Sequence, residues 1–419
     1  MNQETQLPPA HILTWKDGQI ETRRYWQLKC EPKIFDFDEA VTLVRDKLEN
    51  AIESQLQSDV PIGTFLSGGI DSSLITAIAA KKIPSKLSTF TIGFNEEAYD
   101  ERAYARIAIE GLDTDHHEEV LCREEALALL PDLVESYDEP YALGSALPTL
   151  AVSRLANKHG IKVILGGDGA DELFAGYLHH EKFHARMRGR SMRKDNIFYR
   201  RMSRMIRGIS PPDPIGEYNL PAEGCLPSPA QKKLLTSDAA SKLNADHRWR
   251  YRKFFRDDLA ACTTAQNLDF HTYLVDEILG KVDRASMAYG VEARVPFLDL
   301  ELVELAFSID SSVIYRNRER KALLKAVAKP WLCNKVLTAR KKGFSVPMAT
   351  WLMQDGGQSR IWKILQSGSL ASRGILDPDA VPSVLGEVDS VFTWQLYVAE
   401  FWARRWLEGS LDASALLSK

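Results

Sequence analysis

Apolar positions in the first part of the chain alternate between short continuous runs and helical spacing. Residues 60–66 form a short apolar run read as a buried strand, and 70–82 carry the pattern of the helix that follows. Residues 87–94 (LSTFTIGF) are rich in β-formers and bounded by Pro84 and Asn95. Residues 100–109 have helical periodicity, and 117–121 read as a weaker strand. Residues 123–137 predict one helix, with Leu127, Leu130, Leu133 and Val134 on a single face. Residues 147–159 predict another, closed by Gly160. Residues 162–165 (KVIL) predict a strand that runs directly into Gly166 and Gly167.

Strands alternating with helices imply a parallel sheet covered on both faces. In such sheets ligands sit beyond the carboxyl ends of the strands. Two glycine-rich loops fall there, after Leu66 and after Leu165. Past Gly176 the strand signals stop. The prolines from 211 to 229 read as loop, and 258–289, 300–309, 319–328 and 394–406 read as helices. The last holds a bulky stripe of Leu396, Tyr397, Phe401 and Trp402, best explained as core. The expected fold class is α/β, a doubly wound parallel sheet with a mostly helical C-terminal half.

Composition narrows the classes. Of 419 residues, 45% are apolar and 26% charged, which suits a globular chain with a real core and excludes disordered or collagen-like classes. The formal net charge of −4 provides no global basic field for nucleic acid. No apolar run reaches the ~18 residues that span a bilayer, and no signal peptide is visible. The five cysteines include no C-x-x-C pair, so neither a disulfide framework nor a structural zinc site is expected. A cytoplasmic address without membrane partners follows as the expectation.

The stretch Ser67-Gly68-Gly69-Ile70-Asp71-Ser72-Ser73 lies between strand and helix. Its glycines permit a sharp turn and close approach of a ligand to the backbone. The helix start points free N–H groups and a positive dipole end at the loop, and the three serines add hydroxyls. This combination suits phosphate oxygens. An ordinary βα turn would use glycine for geometry alone, but strand, double glycine, Asp and two serines in this order favour the phosphate reading. The pattern G-x-x-x-x-G-K-[ST] is absent, which disfavours γ-phosphate transfer of the Walker type.

SGGIDSS resembles the pyrophosphate loop of the ATP-pyrophosphatase superfamily, whose members split ATP into AMP and pyrophosphate. The segment from Gly166 to Tyr177 (GGDGADELFAGY) resembles a second loop of asparagine synthetase, as does the segment from Tyr289 to Asp299 (YGVEARVPFLD). Arg340-Lys341-Lys342-Gly343-Phe344-Ser345 completes four ordered motifs spread over nearly the whole chain. The chain is thus similar to the synthetase domain of glutamine-dependent asparagine synthetases, with the adenine-nucleotide α-hydrolase type of sheet. The resemblance implies that Leu66 and Ile92 contact adenine through backbone groups. It implies that Ser67, Gly68, Gly69 and Ser72 cradle the phosphates, with Gly166 and Gly167 on the other side of the nucleotide. It assigns Mg²⁺ to Asp71 and Asp171, and catalysis to Asp168, Tyr177 and Lys342. Charge logic agrees about the metal, because two carboxylates beside a polyanion need a hard cation between them. Lys342 would neutralise charge developing between the α- and β-phosphates. A solvated place in a basic run is its plainer reading.

Asp168 stands where asparagine synthetases with an S-G-E-G opening carry Glu, one methylene longer. Full-length family members begin with a Cys nucleophile on a glutaminase domain, whereas this chain begins Met1-Asn2-Gln3. Residues 7–13 and 24–26 resemble the last strands of that domain. The expected organisation is therefore a glutaminase remnant over 1–36 and a synthetase domain over 37–419. The latter divides into a nucleotide-binding part at 61–178 and a mainly helical part at 179–419. The expected activity is adenylation of an aspartate-like carboxylate, followed by transfer of ammonia or an amine. A cyclase or amidotransferase of a peptide, glycan or β-lactam pathway stays open. So do a tRNA-modifying relative and an inactive paralogue. Expected partners are the small-molecule substrates, a separate glutaminase and a second copy in a homodimer.

Two weaker signals remain. His180-Glu181-Lys182-Phe183-His184 fits H-E-x-x-H, but no third ligand follows at a known spacing, so it reads as a solvated helix. Residues 181–207 hold ten Lys/Arg against two Asp/Glu. With little aromatic interleaving, Phe198 and Tyr199 among it, they read as a solvated face and not as an RNA surface.

Overall fold

The computed structural model describes residues 6–195, 215, 218, 229–243, 246, 248–339, 343–354, 357–386 and 390–409. The proline-rich stretch, apart from its described residues, and residues 196–207 of the basic run lie outside them.

The chain opens with an antiparallel hairpin, β1 (His11–Lys16) and β2 (Gln19–Arg24), with Lys16 opposite Gln19. Asp17 and Gly18 both take positive φ, 49° and 77°, the handedness a two-residue hairpin turn requires. Helix α1 (Phe37–Gln55) follows, capped where the Asp36 carboxylate accepts the Glu39 N–H at 2.8 Å. Its inner stripe is Ala40, Val44, Leu48, Ala51 and Ile52, all buried.

The α/β part then runs β3 (Ile62–Phe65), α2 (Ile70–Lys82), β4 (Leu87–Gly93), α3 (Arg102–Ala108) and β5 (Thr114–Val120). It continues with α4 (Arg123–Ala128), α5 (Leu130–Ser136), α6 (Ala146–Lys158), β6 (Val163–Leu165) and α7 (Ala170–Leu173). The sheet order is β5-β4-β3-β6-β7, and every pairing is parallel. The chain therefore steps outward from β3 to β5, returns, and adds β6 on the other side of β3. That reversal is a topological switch point, the place where ligands enter open α/β sheets. Ile62 pairs with Val163 and Thr64 with Leu165, so the loops after β3 and β6 leave the sheet side by side.

Alternation along the strands builds two cores. Phe90, Ile92 and Ile164 point into one, shared with α5, α6 and the C-terminal helix Ser390–Glu408 through Tyr397 and Phe401. Ile62, Leu66, Val163 and Leu165 point into the other, shared with α1, α2 and the helices Leu300–Ser308 and Ala322–Ala328. Both faces are covered, as the double winding requires.

Four expectations change. A fifth strand, β7 (Glu292–Arg294), follows Gly176 and pairs with β6. Three residues, two of them charged, show no periodicity. The helix expected over 123–137 is two, α4 and α5, because Pro131 offers no N–H and crowds the carbonyl four residues back. The helix expected over 258–289 is also broken. It consists of Ala261–His271, a non-helical Thr272 (φ −129°, ψ −83°), a π-helical turn Leu274–Leu279, and Gly280–Met287. The helix expected from 319 begins at Ala322, because Lys321 takes the left-handed conformation (φ 56°). Among the described residues no helix is long and apolar enough to cross a membrane.

Candidate active site

The first loop is shaped by Gly68, whose φ is +82°. A Cβ there would lie 2.6 Å from the Ala105 nitrogen and 2.7 Å from Tyr104, both in α3. The Ser67 and Ser72 hydroxyls are 3.0 Å apart, and the Gly69 N–H donates to Ser67 Oγ at 3.3 Å. A Cβ on Gly167 would meet Asp71 Cβ and the Ser72 nitrogen at 3.0 Å, so glycine in the second loop lets the two loops touch.

Between them opens a cleft of about 700 Å³. Leu66, Ser67, Gly68, Gly69, Asp71 and Ser72 line it from the first loop. Ile92 lines it from β4, and Gly166, Gly167, Asp168, Asp171 and Tyr177 from the second loop. Ser73 does not, since it is fully buried within α2. Lys342 lies outside the described residues. Ala339 and Gly343, on either side of it, line the cleft.

At the floor of the cleft sits a residue the sequence reading did not single out. The Lys321 ammonium lies 2.5 Å from Asp71 Oδ2 and 2.7 Å from Asp171 Oδ1. The lysine is 6% exposed. Burial alone would lower its pKa, but the Asp171 and Asp71 carboxylates hold it above the usual lysine range. The 319–328 helical pattern concealed it, because a regular helix would carry this side chain elsewhere. The left-handed backbone at Lys321 is a break in that pattern with no local signature.

Two further pairs flank this triad. Lys281 Nζ donates to Asp168 Oδ1 at 3.2 Å. The shorter carboxylate at position 168 is therefore held from the Gly280–Met287 helix. The Tyr177 hydroxyl donates to Glu172 Oε1 at 2.7 Å. Burial, with the Asp171 charge beside it, pushes the Glu172 carboxyl up to about 8. The unfolded chain releases that proton near 4.5, whereas the folded chain keeps it until about 8. Stability contributed by this group therefore falls as pH rises through that window and levels off above it. Glu172→Gln cannot ionise, so its melting temperature should decline less than wild type between about pH 5 and about pH 8. Equal declines in the two proteins would show Glu172 to be ionised in the folded chain.

The H-E-x-x-H reading is corrected. His180 is 1% exposed and not on a solvated face. Both His179 and His180 place Nε2 2.6 Å from Asp269 Oδ2, and the Tyr218 hydroxyl donates to Asp269 Oδ1. His184 instead faces Tyr315, at 5.2 Å between ring centroids. Burial opposes the Asp269 charge, but the two histidines hold its pKa below the usual range. His179, His180 and Asp269 could together ligate a metal. However, His180 Nδ1 has no hydrogen-bond partner, whereas a metal-bound histidine almost always donates its second N–H. We read the cluster as a satisfied buried carboxylate.

Other cations near the loops are engaged. Arg294 donates to the Gln55 and Gln57 carbonyls and to Glu292, and Arg316 stacks over Phe37. Arg318, Arg320 and Lys325 line the cleft, and Arg320 lies 3.5 Å from Glu181.

An all-parallel doubly wound sheet, with two touching glycine loops at its switch point and acidic side chains between them, defines an α/β domain built to hold a ligand there. The family model described as asparagine synthase matches residues 43–408, and the chain belongs to that family. It is 30% identical over 363 residues to asparagine synthetase [glutamine-hydrolyzing] 1 of Bacillus subtilis, covering 83% of this chain and 56% of that protein. It is 32% identical over 358 residues to a putative asparagine synthetase [glutamine-hydrolyzing] of Mycobacterium tuberculosis H37Rv, covering 81% and 53%. It is 26% identical over 452 aligned positions to the amidase chyE of Penicillium rubens, covering 93% and 64%. The chain thus spans about half the length of the asparagine synthetases it resembles.

Proposed function

We propose that this chain is an ATP-dependent amide-forming ligase. The observation that carries the reading is the convergence of Asp71 and Asp171, from loops a hundred positions apart, on one cation within a cleft at the switch point. Membership of the asparagine synthase family supports it.

The nucleotide would lie across the first loop, with its phosphates at Ser67, Gly69 and Ser72 near the start of α2. Two carboxylates from separate loops are hard oxygen donors and fit Mg²⁺ better than a softer metal. When bound, the ion would neutralise phosphate charge. An acceptor carboxylate oxygen then attacks the α-phosphorus, and the bond from that phosphorus to the bridging oxygen of the β-phosphate breaks. Pyrophosphate leaves, and an acyl-adenylate remains. Ammonia or an amine attacks the acyl carbon and AMP departs with the bonding pair, giving the amide. Asp168, held by Lys281, would take the proton the nitrogen releases. Lys342 would meet the charge that develops on the leaving pyrophosphate. An aspartate-like carboxylate is the first acceptor to test. The shorter Asp168 favours comparing it with larger carboxylates and amines. A glutaminase is the natural source of ammonia.

The reading predicts AMP and pyrophosphate from ATP, in amounts matching the amide, when aspartate and ammonium are supplied. Chromatography of the nucleotides decides the matter. ADP and orthophosphate as products would overturn the assignment.

A further inference from the structure

We propose that Lys321 is the resident counter-ion of Asp71 and Asp171, so that a divalent cation can use these carboxylates only after the lysine gives them up. This rests on reading the two aspartates as the metal-binding pair.

The geometry leaves little room for both cations. The ammonium sits 2.5 Å and 2.7 Å from one oxygen of each carboxylate. A divalent ion such as Mg²⁺ needs carboxylate oxygens at about 2.0–2.1 Å, which places it against the ammonium. Like charges at that separation repel strongly in a site screened from water. The lysine is also enclosed. A Cβ on Gly176 would fall 1.8 Å from Asp171 Oδ1 and 2.3 Å from Lys321 Cε, so the second loop closes over the pair.

The lysine is held from an unusual backbone. Asn317, Arg318 and Lys321 all have positive φ, at 56°, 61° and 56°. Non-glycine residues adopt this region rarely, and runs of them mark segments held by their surroundings. Arg318, Arg320 and Lys325 of the same segment line the cleft. A polyanion entering there would give Lys321 a replacement partner. Metal and nucleotide would then arrive together, and metal alone would bind poorly. Lys321 is thus a positioning residue that couples occupancy of the metal pair to occupancy of the phosphate site.

Binding of Mn²⁺ by the full chain, measured by paramagnetic resonance without nucleotide, tests this. Lys321→Met should bind Mn²⁺ about tenfold or more tightly than wild type, because two carboxylates lose their internal cation. Adding Asp71→Asn to that variant should remove the gain. Lys321→Gln, which keeps a hydrogen-bond donor, provides a second variant should the methionine protein fold poorly, and the same gain is expected. Equal Mn²⁺ affinity in wild type and either variant would overturn the proposal. Repeating the titration with ATP separates the two readings. If Asp71→Asn weakens Mn²⁺ binding with ATP but neither Lys321 variant gains affinity for Mn²⁺ alone, the metal pair stands and the counter-ion role fails. If Asp71→Asn leaves binding with ATP unchanged, the metal pair itself is wrong.

Discussion

Asp71→Asn and Asp171→Asn are each expected to reduce pyrophosphate release by ~10²–10³ at fixed Mg²⁺ and ATP. Each change keeps the shape of the side chain and removes one charge. The affected charge is one of two aspartates brought to a single cation from the loops after β3 and β6. On the proposed reading, the metal would then lose a hard anionic ligand and the phosphates would lose part of their counter-charge. The apparent requirement for Mg²⁺ should rise along with the loss of rate. A purely structural defect would act differently, lowering the melting temperature without changing the metal dependence of whatever activity persists. Near wild-type turnover in either variant would remove that residue from the metal pair.

Lys342→Ala should lower kcat by ~10²–10³ while leaving the KM for ATP close to wild type. A cation directed at charge that appears only as the α–β bond breaks acts on the barrier and hardly at all on ground-state binding. The neighbouring Lys341→Ala is the internal control. Adjacent side chains rarely point the same way, so only one of the two should face the phosphates. Comparable losses in both variants would mean a diffuse basic patch whose effect fades with salt. A loss confined to Lys341 would shift the assignment by one residue. No loss in either would leave the described cations that line the cleft, Lys281, Arg318, Arg320, Lys321 and Lys325, to balance the leaving group.

The α/β part was legible where strands such as β4 and β6 are buried and rich in β-formers and where the loops after β3 and β6 carry glycines, whereas the polar β5 (TDHHEEV) gave a weaker signal. Val163, Ile164 and Leu165 are all buried, so the run could be read without its register. The glycines at 68 and 167 mark places where a side chain would strike the opposing backbone, and chemistry of that kind leaves a trace in sequence. Lys321 left none. Its role depends on a left-handed turn at one residue and on partners 250 and 150 positions away. The Asp269 cluster was hidden for the same reason, since its histidines lie about 90 residues from the aspartate. β7 was too short for any period to show. In each case the information was in tertiary pairing, which no window along the chain contains.

The side-by-side alignment of β3 and β6 sets when the cleft can exist during folding. Its first loop lies on a compact local unit of strand and helix, β3 and α2, whose pieces are adjacent in sequence. Its second loop enters only when Ile62 and Thr64 find Val163 and Leu165, after two strands and five helices have been threaded past. Closing so long a loop carries an entropic cost that local helix formation does not offset. The carboxylates of Asp71 and Asp171 thus stay apart in any partly folded form that lacks β6, however much helix it has formed. Such a form has the first glycine turn without the second acid, so the proposed ligand site is expected to mature with the β3–β6 pairing and not with the bulk of the secondary structure.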